Sequence, residues 1–285
     1  MDREICIHLI FLCTFNTLFT FLGVFVNALV ILCYWKSSQL QKKLSYFMLM
    51  ILSCFDLLSV ITNHPLLTIY SALWIVDDED TLKKVYVFVD GSDIFQGFTL
   101  LALLTMNFDR YLANAHPLFH RVSITRRRLL AVLVLLLLFE VTLTGISFNN
   151  LVITDQIATI IFGLCVAPPL LFINMKLFFI ARRMGKRKAA VSTTTAKRSL
   201  KLKNISSCLL SVSCLVLLHL PILVYVAVSV KEEENTRKVQ ITWLWTKSII
   251  STNSTFNCLI FFWKNKILRS EGKRTIKIMT KHPGT

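Results

Sequence analysis

Charge is the first scarcity. Of 285 residues, 17% are Asp, Glu, Lys or Arg and 54% are hydrophobic, whereas a soluble domain carries about 25% charged residues. Too few polar side chains are present to coat a water-facing surface, which excludes a soluble enzyme and a disordered chain. Glycine (eight) and proline (six) are also sparse. The eight cysteines Cys6, Cys13, Cys33, Cys54, Cys165, Cys208, Cys214 and Cys258 all fall inside apolar runs. None is left for an outer-loop disulfide or for palmitoylation of the C-terminal segment, and a disulfide scaffold is excluded. The sequence also lacks a nucleotide-binding loop, metal-ligand spacing and internal repeats. Few glycines and no inverted symmetry speak against a transporter or channel. Nothing points to catalysis, and the chain reads as a non-enzyme.

Long apolar runs are what the sequence does have. Between charged breaks, seven segments stand out at roughly 7–34, 45–73, 86–113, 129–148, 155–181, 204–229 and 239–262. Runs near 20 residues match a hydrocarbon layer of ~30 Å at 1.5 Å per helical residue. Lipid offers no partners to the backbone, so each run must be a helix or part of a closed barrel. The runs are continuous rather than alternating, which selects the helix. The expected fold class is therefore all-α: one seven-transmembrane helix bundle over 1–285. A short cytoplasmic amphipathic helix near 264–272 and a basic segment over 273–285 follow it. The first run is far longer than the h-region of a signal peptide and no A-x-A site follows, so it reads as an uncleaved span.

The net charge of +16 would suggest nucleic acid in a soluble protein. Here its distribution points elsewhere, and no nucleic-acid partner is expected. The loops after spans one, three and five and the C-terminal segment hold 23 Lys and Arg; the opposite segments hold six, together with the acids Asp77, Asp78, Glu79, Asp80, Glu232, Glu233 and Glu234. Basic residues stay in the cytoplasm, so the expected protein is multi-pass in the plasma membrane, N-terminus extracellular and C-terminus cytoplasmic. Its basic loops are attracted to anionic membrane lipids. The sequons at Asn204 and Asn253 then fall at or inside the membrane, out of reach of glycosylation.

Several short motifs sit in matching spans. Span three ends Phe108-Asp109-Arg110-Tyr111-Leu112-Ala113, followed by His116-Pro117-Leu118. Span one has Gly23 and Asn27, span two Leu52 and Asp56, span five Pro168-Pro169, and span six Pro221. Span seven carries Asn253-Ser254-Thr255-Phe256-Asn257-Cys258-Leu259-Ile260-Phe261. In this order, and over the whole chain, the set resembles the rhodopsin-like (class A) G-protein-coupled receptors. The resemblance implies a ligand-activated receptor that signals to heterotrimeric G proteins, with Asp109, Arg110 and Tyr111 as the coupling motif. Arg110 would stay paired with Asp109 at rest. Asp56 with Thr99, Asn253, Ser254 and Asn257 would hold a sodium ion and water, or else form a purely structural hydrogen-bond cluster. Pro221, which removes a backbone hydrogen bond and kinks its helix, would be the pivot of span six.

The sequence also departs from that pattern. His219 stands where the family has Trp, Leu259 and Phe261 replace the Pro and Tyr of Asn-Pro-x-x-Tyr, and span four lacks its usual Trp. Lys176 (or Leu177) occupies the span-five Tyr position, Lys201 the acid at the foot of span six, and Val85 the cysteine atop span three. The alternative reading is thus a receptor-like seven-helix protein that no longer couples. The residue at the amine-binding position is Ser92, with Asp93 beside it, so no amine ligand is assigned. The opsin lysine position is Ser251, so retinal attachment is not expected and no other cofactor is implied. The polar residues of the outer half, Asp90, Ser92, Asp93, Glu140, His219 and Lys247, form the candidate pocket for an extracellular small molecule or peptide. Intramembrane charges are generally paired or functional; the simpler role for Lys247 is to neutralise an aspartate, and for His219 to be a neutral core histidine.

Overall fold

The computed structural model describes residues 3–149, 165–183, 195–222, 224–225, 228 and 237–281. Among these, every regular element is an α-helix. In chain order they are α1 (Arg3–Lys36), α2 (Ser38–Gln41), α3 (Leu44–Val76), α4 (Glu79–Gly91), α5 (Asp93–Ala115), α6 (Pro117–Ser123) and α7 (Arg126–Asn149). Then come α8 (Cys165–Arg183), α9 (Thr195–His219), α10 (Arg237–Ser251), α11 (Asn253–Lys264) and α12 (Lys266–Lys281).

Five helices are long and apolar enough to cross a membrane: α1, α3, the α4–α5 run, α7 and α8. Their outer faces are oily. Phe11, Phe21, Leu135 and Leu138 are each more than half exposed, and a water-soluble monomer rarely tolerates such a continuous apolar surface. The packed interior centres on Val30, Leu52, Met106, Leu133, Cys208 and Cys258, with a second cluster of Leu9, Leu12, Leu67, Tyr70, Val89 and Leu244 at the N-terminal end of α1.

Helix boundaries follow local chemistry. α3 stops at Asp77, whose φ of 64° is the left-handed conformation, a region that Asp visits more readily than most residues. The next residue, Asp78, caps α4 by accepting the Thr81 amide at 3.1 Å. That hydrogen bond, made by both side chain and backbone of Thr81, holds the Asp78 carboxyl below its ordinary range. α5 ends at His116, because the residue before a proline is pushed out of the helical region; Pro117 then opens α6.

Four differences from the sequence-based spans have physical causes. The third helical run begins at Glu79 rather than near 86, and breaks at Ser92, whose hydroxyl bonds back to the Val89 carbonyl at 2.7 Å. The last run, expected as a single helix over 239–262, is divided at Thr252. There the Thr252 hydroxyl and amide both turn back to the Ile249 carbonyl, at 2.6 and 3.2 Å; such back-bonding bends helices. The amphipathic helix runs to Lys281, absorbing most of the segment expected as a basic tail, because Leu268 and Thr275 bury against the bundle and Thr275 meets Cys33 at 3.8 Å. α9 ends at His219 and the chain turns at Leu220, next to Pro221. Residues 155–164, 184–194 and most of 223–236, parts of the expected spans five and six and their loops, lie outside the described residues.

Candidate functional site

Polar side chains converge at three depths. At the C-terminal end of α5, Asp109 is buried and its Oδ1 lies 2.8 Å from His120 Nε2 on α6. Arg110 is not its ion-pair partner, contrary to the expected resting pair. Arg110 instead turns into a small cavity lined by Ser45, Tyr46, Leu49, Met106, Ser207, Phe261 and Asn265. Its Nε is buried without a hydrogen-bond partner. The turn at His116 and Pro117 makes the swap possible, since it folds α6 back onto the end of α5. Across the cavity Tyr46 and Asn265 bond each other at 3.0 and 3.1 Å, and Asn265 also caps α12 through the Ile267 and Leu268 amides. Tyr111 sets its ring edge-on to His116. The Lys201 side chain lies outside the described residues.

In the middle, Asp56 on α3 has no exposed surface. One carboxylate oxygen accepts from Asn257 Nδ2 at 3.5 Å, and Asn257 Oδ1 in turn accepts from Ser211 on α9 at 2.5 Å. The Thr99 and Ser254 hydroxyls face the carboxylate without closing hydrogen bonds. Asp56 Oδ2, Thr99 Oγ1, Ser254 Oγ and both side-chain atoms of Asn253 are all buried and unpartnered. Buried polar atoms without partners are costly, and a lone carboxylate most of all. One anionic oxygen with hydroxyl and amide oxygens is a hard donor set that fits a small cation such as sodium, or ordered water. Among the described residues no three His, Cys, Asp or Glu side chains converge to hold a metal ion, so this centre has a single formal charge.

At the opposite, N-terminal end of α5, the break at Ser92 lets Asp90 and Asp93 aim at one target. Lys247 on α10 pairs with Asp93 and lies 3.8 Å from Asp90 Oδ1. Of the other residues expected in this pocket, Ser92 bonds within its own helix. His219 does the same, to the Leu215 carbonyl at 2.8 Å. Glu140, nearly buried on α7, presses its carboxyl against the bare backbone at Gly97, where any Cβ would collide with it. Its Oε2 has no partner. The Pro221 carbonyl accepts from Thr246 on α10 at 3.4 Å, tying the turn to its neighbour.

One network escaped the sequence. His64 is fully buried on α3, its Nδ1 2.7 Å from Asn16 Oδ1, while Asn16 Nδ2 donates to Ser248 at 2.9 Å. Just below, Gln96 receives the Ser59 hydroxyl at 3.2 Å and reaches the Ile250 carbonyl at 3.4 Å. These contacts join α1, α3, α5 and α10 beside the break at Thr252, where helix carbonyls are left to find other donors. The available signal was a His64-Pro65 pair inside an oily run. No family model matches this chain, and no curated protein matches it.

Proposed function

We propose that the chain is a seven-helix receptor of the plasma membrane that passes an extracellular ligand signal to a heterotrimeric G protein. The observation that carries the reading is the placement of Arg110. It stands at the inner end of α5, its guanidinium turned from Asp109 into a cavity bounded by α3, α9 and α11. A group at that junction senses any displacement of α9. In this reading the span count is five long helices, the shorter apolar helix Ile205–His219 and the divided α10–α11 pair. The charge distribution then puts the N-terminus outside and the cavity in the cytosol. A ligand at the outer mouth biases a two-state bundle. The turn before Pro221 is the pivot, and the Ser211–Asn257–Asp56 chain links α9 to the middle. When bound, a sodium ion would neutralise Asp56; Thr99, Asn253 and Ser254 are the residues to hold it.

The test is nucleotide exchange on a panel of G-protein α subunits in membranes holding the receptor. Wild type is expected to raise exchange above mock membranes, and Arg110→Ala to return it to the mock level at equal surface expression. Exchange that is indifferent to Arg110 would remove the coupling role. The second reading, a receptor-like protein that does not couple, is favoured by His219, Leu259 and Phe261 at the positions of the missing Trp, Pro and Tyr. It expects mock-level exchange from wild type under every ligand.

A further inference from the structure

Two basic side chains stand within reach of Asp109 at the C-terminal end of α5. The carboxylate is 2% exposed, and a buried charge left without a partner is expensive. Arg110 is its neighbour in sequence. Consecutive helical residues point about 100° apart, so the guanidinium must curl back round the helix to reach it. His120 arrives from α6 with Nε2 already 2.8 Å from Oδ1, and it donates there as imidazolium or as the Nε2–H tautomer. α6 fixes the ring in place: the His120 amide donates to the His116 carbonyl at 2.9 Å, and the His120 carbonyl accepts from Ile124 at 3.0 Å. Yet α6 contributes no buried residue to the bundle, and its Leu118 and Val122 are 82% and 81% exposed. Among the described side-chain hydrogen bonds of α6, the one that reaches back to α5 is His120 to Asp109.

Arg110 supplies the other half of the argument. Its guanidinium lines the cavity, with Tyr46 and Cys208 in electrostatic reach, and its Nε is buried without an acceptor. Neither neighbour is a carboxylate. The loops after spans one, three and five and the C-terminal segment hold a single acid, Glu271, whose charge bears on Cys33 near the C-terminal end of α1. Asp109 is thus the carboxylate that both basic side chains can claim. A guanidinium beside a free carboxylate forms a strong charge-assisted pair, so the cavity position lasts only while His120 occupies Asp109. We infer that His120 is a positioning residue: by holding Asp109 it keeps the Arg110 guanidinium in the cavity, and its loss lets Asp109 recapture Arg110 and silence coupling. The competition stands on the geometry; its signalling consequence rests on the receptor reading.

Double-mutant cycles on the purified full chain in lipid nanodiscs test the competition without a G protein, with Tm as readout. With His120 present, Asp109→Asn and Arg110→Gln should act additively. In the His120→Phe background, which keeps a ring and removes the donor, the same pair should depart from additivity by roughly 2–5 °C, the size of a newly formed contact. His120→Ala takes over if His120→Phe does not fold. His120→Gln, whose amide donates from nearly the Nε2 position, should leave the pair additive. Nucleotide exchange then reads the consequence. His120→Phe should lower it by on the order of tenfold, and His120→Gln should retain most of it. Adding Asp109→Asn to His120→Phe should restore exchange, because no carboxylate is left to take Arg110; a merely structural His120 would not be rescued in this way. Non-additivity of Asp109 and Arg110 in wild type, additivity in the variants that lack the donor, or exchange that stays low in the double variant would overturn the inference. Exchange at the mock level from every chain, wild type included, would sink the receptor reading, and the cycles would still decide the competition.

Discussion

The mouth and the middle of the bundle hold their charges in opposite ways. At the mouth, Asp90 and Asp93 pair with Lys247 while their own carboxylates stay about half open to solvent. In the middle, Asp56 is sealed, one of its oxygens has no partner, and the Thr99 and Ser254 hydroxyls and the Asn253 amide beside it are unpartnered too. Water softens the cost of any partner exchanged at the mouth, whereas a sealed carboxylate must find a proton, a water or a cation.

Packing sharpens the contrast. Beside the middle cluster, Gly23 of α1 lets α3 and α11 approach so closely that a Cβ there would stand 2.6 Å from Thr255 Oγ1 and 2.8 Å from Val60. In lipid there is no hydrophobic drive between helices, so close approach of small residues supplies much of the cohesion. Gly23→Ala should therefore destabilise by about 1–3 kcal/mol, lowering Tm by roughly 2–4 °C per kcal/mol. Gly145, where a Cβ meets nothing within 4 Å, is the control: Gly145→Ala should be neutral or stabilise by up to ~1 kcal/mol. Equal Tm changes in the two variants would mean that the middle is no tighter than the periphery.

The second way to break the comparison is ionic. If the orphaned oxygens around Asp56 take sodium, replacing choline by sodium at constant ionic strength should stabilise wild type by about 1.4 kcal/mol at ten times Kd. Asp56→Asn should lose that increment, while Asp93→Asn keeps it. A sodium effect of the same size in Asp56→Asn would assign the ion to another place and leave Asp56 to water or a proton.

How much of this could be read from the residues depends on the range of the interaction. The long apolar helices were legible because lipid imposes one length and one polarity on each. The breaks at Ser92 and Thr252 were not: Thr252 has no glycine or proline beside it, the single Gly91 before Ser92 is by itself a weak signal, and each break depends on a hydroxyl turning back to its own helix. The extension of α12 to Lys281 depends on Leu268 and Thr275 docking near α1, a contact across more than two hundred residues. The polar set around Asp56 was expected from the family resemblance; Asp90 and Asp93 were placed together by i, i+3 spacing on an unbroken helix, whereas they stand on either side of the break at Ser92. Two partners were hidden: His120 reaches Asp109 through the turn at Pro117, and His64 reaches Asn16 across two helices. Patterns along one strand of sequence do not encode such pairings.

The smallest expected effect is local and lies at the mouth. Asp78 is solvent-exposed, and its only described side-chain role is to cap α4 through Thr81. Its carboxyl is held below the ordinary range, so the charged form is the better cap. The contribution is then complete above the unfolded carboxyl pKa of about 3.9 and fades as pH falls through the lower, folded value. Amide exchange at Thr81 should be faster in Asp78→Ala than in wild type at neutral pH, with the gap closing in acid. Asp78→Asn, which caps without a charge, should hold Thr81 protection nearly constant across the same pH range. A gap between wild type and Asp78→Ala that persists undiminished at the acid end would show that hydrogen bonding alone, with no help from charge, fixes the entry to α4. The orientation of Asp90 and Asp93 toward Lys247 would then depend on the break at Ser92 rather than on the start of the helix that carries them.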